Sequence, residues 1–423
     1  MKFFTDSIAR CAARIGTLSG FERLPNSSFE TPLLLIYTKG GSVPHLTKDV
    51  FKTLTMEEQL LIVSLPSTIL MTDVIKELDT SFADFVSMKE YINFLSIHDP
   101  AYTTNSGFHQ SDTISVWSRT GRIVVSAKKY MEIVQAYKPD LYVALCDGDT
   151  NINSRAKRIS KAVLRSKTLL EQCLDIHLQS DILKSKGILG PVEGGYNLQA
   201  RKESIDYLKD KPLAGFVIDG LHNNGPDVQN ISSEQIKQVV QYTINLLPID
   251  KMRISMGCWN PATVLDLVEL GVDVFDSSYP YVITEQSQAL TFLCDHDTCE
   301  NNQHAMSIAE KRYADDFSPI CKKCKCLACQ NHTRAYIHHL HHTKEMLALV
   351  LLMMYVFINY DLITLIYDQL TINDDFRHNT HYYLQFFNLI RDSIKNGTFN
   401  QLQTKIRLKY ATVNSESAKS ITV

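Results

Sequence analysis

Short apolar runs alternate with helix-like segments between residues 31 and 276. Apolar runs of this kind, bounded by turn residues, are typical of buried strands. The pattern predicts seven strands, at residues 33–37, 60–65, 141–145, 187–189, 215–218, 253–256 and 272–275. Because strand and helix alternate along the chain, we predict an α/β fold with a mostly parallel sheet.

Two of the predicted helices carry clear end signals. Asn260 and Pro261 precede one apolar stripe and Gly271 follows it, which predicts an N-cap, a first-turn proline and a left-handed end. Ser232 and Gln235 form a capping-box pattern ahead of a second apolar stripe. Both segments therefore read as helices with defined ends.

Periodicity alone leaves two architectures open, a doubly wound open sheet and a closed (β/α)8 barrel. The consecutive strand–helix units lack a dinucleotide-binding glycine fingerprint, which favours the barrel. In both architectures, side chains at the carboxyl ends of the strands face the ligand. Asp147, Asp219 and Asp276 occupy such positions. Each of them could equally cap a helix or close a turn.

The composition is that of a folded globular protein. Of the 423 residues, 44% are hydrophobic and 21% are charged, which excludes disorder or a coiled coil as the main feature. A net charge of −3 provides no global attraction to nucleic acid. The most basic local stretch places Lys157, Lys161 and Arg165 at four-residue steps on one helix face. Such a stripe could follow RNA phosphates, or it could be an ordinary solvated face.

The first residues carry Asp6, Arg10 and Arg14 where a signal peptide would be apolar, so we expect reduced cysteines. The longest apolar run, residues 346–358, is too short to span a bilayer and suits a buried helix.

Four of the ten cysteines cluster at Cys321, Cys324, Cys326 and Cys329. Closely spaced thiols favour one tetrahedral Zn²⁺, and neighbouring lysines would stabilise the thiolates. The alternative is a group of reduced cysteines without metal. A structural site is favoured, because no open position with a general base is evident. The candidates for a fourth ligand are Cys321, His332, His338, His339, His341 and His342.

The cysteine motif and three further motifs resemble the tRNA-guanine transglycosylases. The cysteines at 324, 326 and 329 precede Asn-His-Thr-Arg-Ala-Tyr-Ile-His-His-Leu at 331–340. The other motifs are Val-Glu-Gly-Gly at 192–195, Phe-Asp-Ser-Ser-Tyr-Pro at 275–280 and Asp-Asp-Phe-Ser-Pro-Ile at 315–320. The resemblance runs from about residue 30 to residue 360. It implies a (β/α)8 TIM barrel with a zinc-binding subdomain near the C-terminus.

The corresponding domain organisation is a barrel over residues 1–290 and a Cys/His zinc-binding subdomain with C-terminal helices over 291–410. We predict that the Ser/Thr/Asn-containing tail, 411–423, is disordered.

The resemblance also implies a chemistry, which is the exchange of guanine in a tRNA anticodon for a modified base, queuine in eukaryotes. In that family an Asp attacks the ribose anomeric carbon, and Asp276 occupies the matching position. The Thr-Arg that follows in the family is Tyr281-Val282 here. The family's general acid/base Asp corresponds to Asn105. Loss of that proton-transfer group would lower the rate by ~10² to 10⁴.

The positions that contact the purine also differ. The family's Gln is Glu193, and its paired glycines are Asp219-Gly220, so that Asp219 brings a charged side chain into the base site. Only Asp147 still matches a base-reading position. Each unpaired buried polar group costs about 1 to 3 kcal/mol. We therefore expect no catalytic residue here and expect Asp276 to be inactive.

We interpret the chain as the non-catalytic subunit of a heterodimer with a catalytic queuine tRNA-ribosyltransferase, acting on tRNA in queuosine biosynthesis. The resemblance implies one Zn²⁺ bound by Cys324, Cys326 and Cys329, with the fourth ligand open because Tyr355 replaces the family's His. The expected location is the cytoplasm, with a peripheral position on the mitochondrial outer membrane as an alternative.

Two other functions remain open from the sequence. One is an active transglycosylase that uses Asp276 as its nucleophile. The other is a binding module that does not act on tRNA.

Overall fold

The computed structural model describes residues 1–9, 11–54, 58–293, 304–322, 327–353 and 379–417. The chain divides into two compact units. The barrel unit comprises Met1–Ser42, Glu58–Tyr279 and Leu389–Gln403. The second unit comprises Val43–Glu57, Pro280–Asn388 and Thr404–Val423. The sequence prediction drew a single boundary at residue 290, whereas these units interleave along the chain.

Eight parallel strands close into a barrel. They are β4 (Leu33–Thr38), β5 (Leu60–Ser64), β6 (Ile92–Ser96), β9 (Leu141–Val143), β10 (Gly187–Val192), β11 (Gly215–Ile218), β12 (Met252–Ile254) and β13 (Val274–Asp276). Each strand pairs with the next along the chain, and β13 closes the ring against β4 with Asp276 opposite Leu35. The predicted (β/α)8 TIM barrel is therefore confirmed.

The described helices follow the strands in alternation within the barrel and dominate the C-terminal part of the chain. They are α1 (Lys48–Leu54), α2 (Leu65–Thr68), α3 (Thr72–Glu77), α4 (Phe82–Phe85), α5 (Ala127–Tyr137), α6 (Ala156–Gln179), α7 (Leu198–Leu208), α8 (Ser233–Leu246), α9 (Pro261–Leu270), α10 (Ser278–Glu285), α11 (Leu327–Asn331), α12 (Arg334–His342), α13 (Met346–Met353), α14 (Asn379–Lys395) and α15 (Phe399–Ser417).

The barrel strands are buried on both faces, which explains their nearly continuous apolar sequences. Every residue of β4, β5 and β6 is buried. The sequence prediction missed β6, although it found the other seven strands of the barrel. Asn93 lies inside β6, and its backbone N–H donates to Asp140 at 2.9 Å.

A three-stranded antiparallel sheet forms the N-terminal part of the barrel unit, from β1 (Lys2–Ile8), β2 (Arg14–Ser19) and β3 (Ser28–Thr31). Arg14 is buried and forms a bidentate ion pair with Asp273, at 2.6 and 2.5 Å. Its guanidinium also donates to the carbonyls of Ile249 and Lys251. This ion pair fastens the N-terminal sheet to the segment that leads into β13. A separate hairpin, β7 (Thr113–Ser118) with β8 (Gly121–Ser126), follows β6.

The predicted helix ends are confirmed. The Asn260 side chain accepts a hydrogen bond from the Thr263 backbone N–H at 3.0 Å, and Gly271 ends α9 with a φ of 101°. Ser232 and Gln235 form the reciprocal capping box of α8. These signals are local in sequence, which is why the pattern alone was sufficient to find them.

The second unit contains the antiparallel pair β14 (Gln288–Leu290) and β15 (Ala305–Ser307). Helix α13 covers the first part of the apolar run at 346–358, and residues 354–358 lie outside the described residues. Helix α15 extends to Ser417, into the segment for which the sequence predicted disorder. Within the described ranges, no helix combines the length and apolar character needed to cross a membrane.

Candidate functional site at the carboxyl end of the barrel

Acidic residues meet at one end of the barrel. Asp276 is the last residue of β13, Asp219 directly follows β11 and Glu193 directly follows β10. Asp147 lies shortly after β9. Since all eight strands are parallel, these residues share the carboxyl end, where the ligand site of a (β/α)8 barrel lies. The sequence-based placement of Asp147, Asp219 and Asp276 is confirmed.

The cavity at this end is very small, with a volume of about 20 Å³. The polar and chain-reversing residues that line it include His98, Pro100, Cys146, Asp219 and His222. A space of this size holds about one water molecule. The cavity that these residues line is therefore too small for a purine base in this structure.

The Asp147 carboxylate is fully buried and bound by two arginines of α6. Arg158 Nη1 donates to Asp147 Oδ2 at 3.1 Å, and Arg158 Nη2 and Arg165 Nη1 make further short contacts with the same carboxylate. Asp147 is therefore engaged within the chain instead of facing a purine. The expected basic stripe also changes, because Arg165 points inward while Lys157 and Lys161 are exposed.

Glu193, at the position of the family's Gln, is fully buried. Its Oε1 accepts a hydrogen bond from the Gly148 backbone N–H at 2.8 Å. Its Oε2 has no hydrogen-bond partner among the described residues. Burial and, to a smaller extent, the nearby carboxylates of Asp219 and Asp147 together raise the pKa of Glu193 to about 8. A glutamine at this position would be uncharged and would avoid the free-energy cost of burying a carboxylate.

Asp219 occupies the space that paired glycines leave open in the resembling family. Its Oδ1 accepts from the Gly220 backbone N–H at 2.7 Å, and the Cys146 thiol donates to its Oδ2 at 3.4 Å. Gly220 has a φ of +73°, and a Cβ there would lie 2.9 Å from Glu193 Oε2. A side chain at residue 220 would therefore collide with the carboxylate behind it.

Asp276 is buried, with 2% of its surface exposed. Its Oδ2 accepts from the Gly257 backbone N–H at 2.6 Å, and its Oδ1 accepts from the Ser278 backbone N–H at 2.8 Å. Burial raises the pKa of Asp276, the Asp99 charge adds to this effect and these hydrogen bonds oppose it, so that the pKa is about 6. Both carboxylate oxygens of Asp276 therefore accept hydrogen bonds from backbone N–H groups near the end of β13.

Asp99 is a buried carboxylate that the sequence analysis missed. The Tyr37 hydroxyl donates to both of its oxygens, at 2.9 and 3.1 Å, and the Ser64 hydroxyl donates at 2.9 Å. Burial raises its pKa, and the hydrogen bonds from Ala101 and Ser64 oppose that effect. Asp99 lies just after β6, the strand that the sequence prediction missed. Recognition of that strand would have identified Asp99 as a further acidic residue at a strand end.

The position of the family's general acid/base faces solvent. Asn105 is exposed. Nearby, the Gly107 backbone N–H donates to Asp149 at 2.8 Å, and His109 Nδ1 accepts from the Ser115 backbone N–H at 3.0 Å. This loop is therefore held by its own hydrogen bonds, with residue 105 outside the cavity.

The predicted zinc ligands are only partly within the described residues. Cys324 and Cys326 lie outside them, as does Tyr355. Cys321 and Cys329 are buried, and neither forms a disulfide with another described cysteine.

The histidine candidates for a fourth ligand differ in their surroundings. The ring of His338 is buried, and its Nδ1 lies 2.8 Å from the Ile308 carbonyl. A carbonyl partner for one ring nitrogen leaves the other able to bind a metal. His341 Nδ1 lies 2.9 Å from the Ser287 hydroxyl. His339 and His342 are exposed, and His332 stacks on Tyr336.

Arg334 closes the loop that carries these cysteines. Its side chain is 4% exposed and pairs with Asp316 at 2.8 Å, and its Nη2 donates to the Ile320 carbonyl at 3.1 Å. The Arg334 backbone N–H donates to the Ser318 carbonyl at 2.9 Å. The residues before and after the cysteine segment are therefore fixed together.

The chain belongs to a family of base-exchanging tRNA enzymes. The family model described as "Queuine tRNA-ribosyltransferase" matches residues 9–357, most of the chain. The barrel and the aspartates at its carboxyl end lie within this match.

Curated relatives align over nearly the whole chain. One is "Queuine tRNA-ribosyltransferase accessory subunit 2" of Aedes aegypti, 37% identical over 406 residues, which cover 95% of this chain and 91% of the relative. The protein of the same name from Culex quinquefasciatus is 38% identical over 411 residues, covering 95% and 90%. That of Drosophila melanogaster is 34% identical over 415 residues, covering 96% and 92%.

Proposed function

We propose that this chain is the non-catalytic accessory subunit of a heterodimeric queuine tRNA-ribosyltransferase. In this role it supports the exchange of the anticodon wobble guanine for queuine in tRNA, a step of queuosine biosynthesis. Its similarity to accessory subunits over at least 95% of its length supports this function.

The observation that carries the proposal is the burial of the Asp276 carboxylate. A nucleophile must reach the ribose anomeric carbon in a pocket that also holds the departing base. Here Asp276 is 2% exposed and is not among the residues that line the cavity at the barrel mouth, whose volume is about 20 Å³. The barrel therefore acts as a folded scaffold, and the catalytic subunit supplies the chemistry.

The tRNA contact of this subunit is assigned to the exposed face of α6. Lys157 and Lys161 are exposed and lie four residues apart, which places them on one side of the helix. Two lysines in this arrangement can contact successive phosphates while the catalytic subunit holds the anticodon. Arg165 is left out of this surface because it binds Asp147.

Zinc at Cys324, Cys326 and Cys329 is part of the proposal. The buried Cys329 and the Arg334–Asp316 clamp support it, since a closed loop brings thiolates together at a lower entropic cost. When bound, zinc supplies structural cross-linking. The test is the metal content of the full chain before and after Cys324→Ser, with Cys11→Ser as a control. Unchanged zinc content would contradict this site.

A cytoplasmic location completes the proposal, with a peripheral position on the mitochondrial outer membrane as its alternative form. The reduced cysteines in the described part of the chain support a reducing compartment. Fractionation of cells with an antibody to the native chain distinguishes the two locations.

The decisive experiment measures exchange of labelled guanine in tRNA by this chain alone, by the catalytic subunit alone, and by both together. We expect exchange only when both are present, together with a stable complex on gel filtration. Turnover by this chain alone, with a ribose adduct trapped on Asp276, would overturn the proposal.

A further inference from the structure

Three potential metal ligands converge behind the small cavity at the barrel mouth. The Sγ atom of Cys146 and one carboxylate oxygen each of Glu193 and Asp219 all lie within 4.8 Å of one another. They follow three adjacent strands, β9, β10 and β11. A single ion at this point would connect three separate loops of the barrel.

Two unpartnered polar atoms in the described barrel point to a missing ligand. Glu193 is fully buried and its Oε2 has no hydrogen-bond partner there. His98 Nε2 is likewise without one and lines the same cavity. An orphaned buried carboxylate oxygen costs free energy, and native structures usually satisfy such an atom with a water molecule or an ion.

Two glycines leave the space that an ion would need. A Cβ on Gly148 would lie 3.1 Å from Asp219 Oδ2 and 3.3 Å from His98 Nε2. A Cβ on Gly220 would lie 2.9 Å from Glu193 Oε2. A larger residue at 148 would therefore crowd Asp219 and His98, and one at 220 would crowd Glu193.

The neighbouring arginines hydrogen bond to other groups. Arg158 and Arg165 bind Asp147. Arg201 is buried and donates to the carbonyls of Gly195, Val192 and Asp219, at 2.6 to 2.8 Å. Among the described residues, the carboxylates of Glu193 and Asp219 thus receive no arginine hydrogen bond.

We propose that Cys146, Glu193 and Asp219 bind a Zn²⁺ ion at the mouth of the barrel. A set with one thiolate and two carboxylates fits zinc, because Mg²⁺ and Ca²⁺ prefer oxygen ligands alone. The cavity that Cys146 and Asp219 line, with a volume of about 20 Å³, has room for one ion. On binding, the Cys146 thiol and the Glu193 carboxyl each release a proton to solvent.

This site uses none of the cysteines at 321–329. By the sequence resemblance it lies where the resembling enzymes hold a purine, so the ion takes the place of a base. Its ligands come from three separate loops, so we expect a structural role. The metal connects the loops after three strands and thereby keeps the barrel mouth closed.

The test compares zinc content in the full-length chain and in two ligand variants. Cys146→Ser removes the thiolate, and Glu193→Gln introduces the residue that the resembling family has there. Cys173→Ser is the matched control, because Cys173 is also buried in the barrel unit but lies outside the ligand set. Native mass spectrometry at fixed free Zn²⁺ counts the ions per chain, which separates this ion from any held by the cysteine cluster.

We expect the wild type and Cys173→Ser to carry one more zinc ion per chain than either ligand variant. Zinc affinity at this site falls by about 100-fold or more in each ligand variant, since even outer-shell changes cost 10- to 100-fold. Equal zinc content in the wild type and Glu193→Gln would overturn the proposal. Should Cys146→Ser fail to fold, the Glu193→Gln comparison still decides.

In Co²⁺-loaded protein, the thiolate-to-metal absorption provides a second measurement. We expect Cys146→Ser to lose the contribution of one thiolate, while Cys173→Ser keeps the full intensity. Identical spectra for the wild type and Cys146→Ser would also overturn the site, because they would show that this thiolate does not ligate.

Discussion

The Gly257 backbone N–H donates to Asp276 Oδ2 at 2.6 Å. This contact links the loop after β12 to the last residue of β13, the position that the sequence resemblance matches to the family's nucleophile. The carboxylate at this position has thus become an acceptor for the backbone. Its removal should affect folding more than turnover.

Asp276→Asn in this chain should leave exchange by the heterodimer within about twofold of the wild-type rate. An Asn amide nitrogen cannot accept a hydrogen bond, so one backbone N–H loses its partner and stability falls by about 1–3 kcal/mol. Guanine exchange and urea unfolding measure the two effects. Abolished exchange in a folded complex would contradict the non-catalytic assignment.

The titration of Asp276 also predicts a pH dependence. Its pKa is raised from 3.8 to about 6, so the folded state binds more protons than the unfolded state between these values. Its contribution to stability is full below about pH 4 and is lost as the pH rises through 6, at up to about 1.4 kcal/mol per pH unit.

Urea midpoints of the wild type and Asp276→Asn across this range provide the measurement. The variant lacks the titrating group, so the difference between the two proteins should change by less than a few tenths of a kcal/mol above pH 7. A difference that stays constant from pH 4 to pH 7 would show that Asp276 titrates normally.

The buried Arg14–Asp273 ion pair should be essential for stability. Arg14→Ala leaves the Asp273 carboxylate without its bidentate partner, and such changes cost about 3–5 kcal/mol. Lys202→Ala removes an exposed pair with Asp206 and serves as the control, with a much smaller expected loss of stability because solvent screens this pair. If both variants lost the same stability in urea unfolding, the buried Arg14–Asp273 pair would contribute no more to stability than an exposed pair.

The exposed lysines of α6 should matter for tRNA and little for folding. Lys157→Glu combined with Lys161→Glu should weaken tRNA binding by the heterodimer and flatten the salt dependence of log Kd by about 1 to 2 units. The melting temperature should stay near that of the wild type. Lys128→Glu combined with Lys129→Glu, at two exposed lysines of the barrel unit outside α6, is the charge-matched control. Equal tRNA affinity in both variants would exclude this face.

Arg165→Ala, in contrast to the lysine variants, should lower stability and have little effect on tRNA binding. Since Arg165 binds the buried Asp147 carboxylate, its removal leaves Arg158 as the remaining partner and destabilises the fold by about 2 kcal/mol or more. Thermal unfolding measures this cost. If Arg165→Ala instead weakened tRNA binding at wild-type stability, the original three-residue stripe would be correct.

Most of the barrel was predictable because its signals are local. The apolar runs of seven strands and the caps at Asn260 and Ser232 depend only on neighbouring residues. Strand β6 was missed because Asn93 interrupts its apolar run, and Asn is depleted in strands. The structure shows why it is tolerated, since the backbone of Asn93 binds the Asp140 carboxylate.

The site was only partly predictable, because the contacts of its residues are made between segments that are distant in the sequence. The strand-end positions of Asp147, Asp219 and Asp276 follow from the order of the elements. The partners of those carboxylates do not, because Arg165 and Gly257 reach them across the fold. Helical periodicity placed Arg165 beside Lys161, but only tertiary packing decides that its guanidinium turns inward.

The pairing of Asp147 with Arg158 and Arg165 has a consequence for the division of labour in the complex. Enzymes hold unsatisfied charges ready for their substrates, and that readiness weakens the fold. In this barrel the Asp147 carboxylate is neutralised by two arginines of the same chain, so it does not carry that cost in stability. We therefore expect this chain to be the more heat-resistant member of the pair.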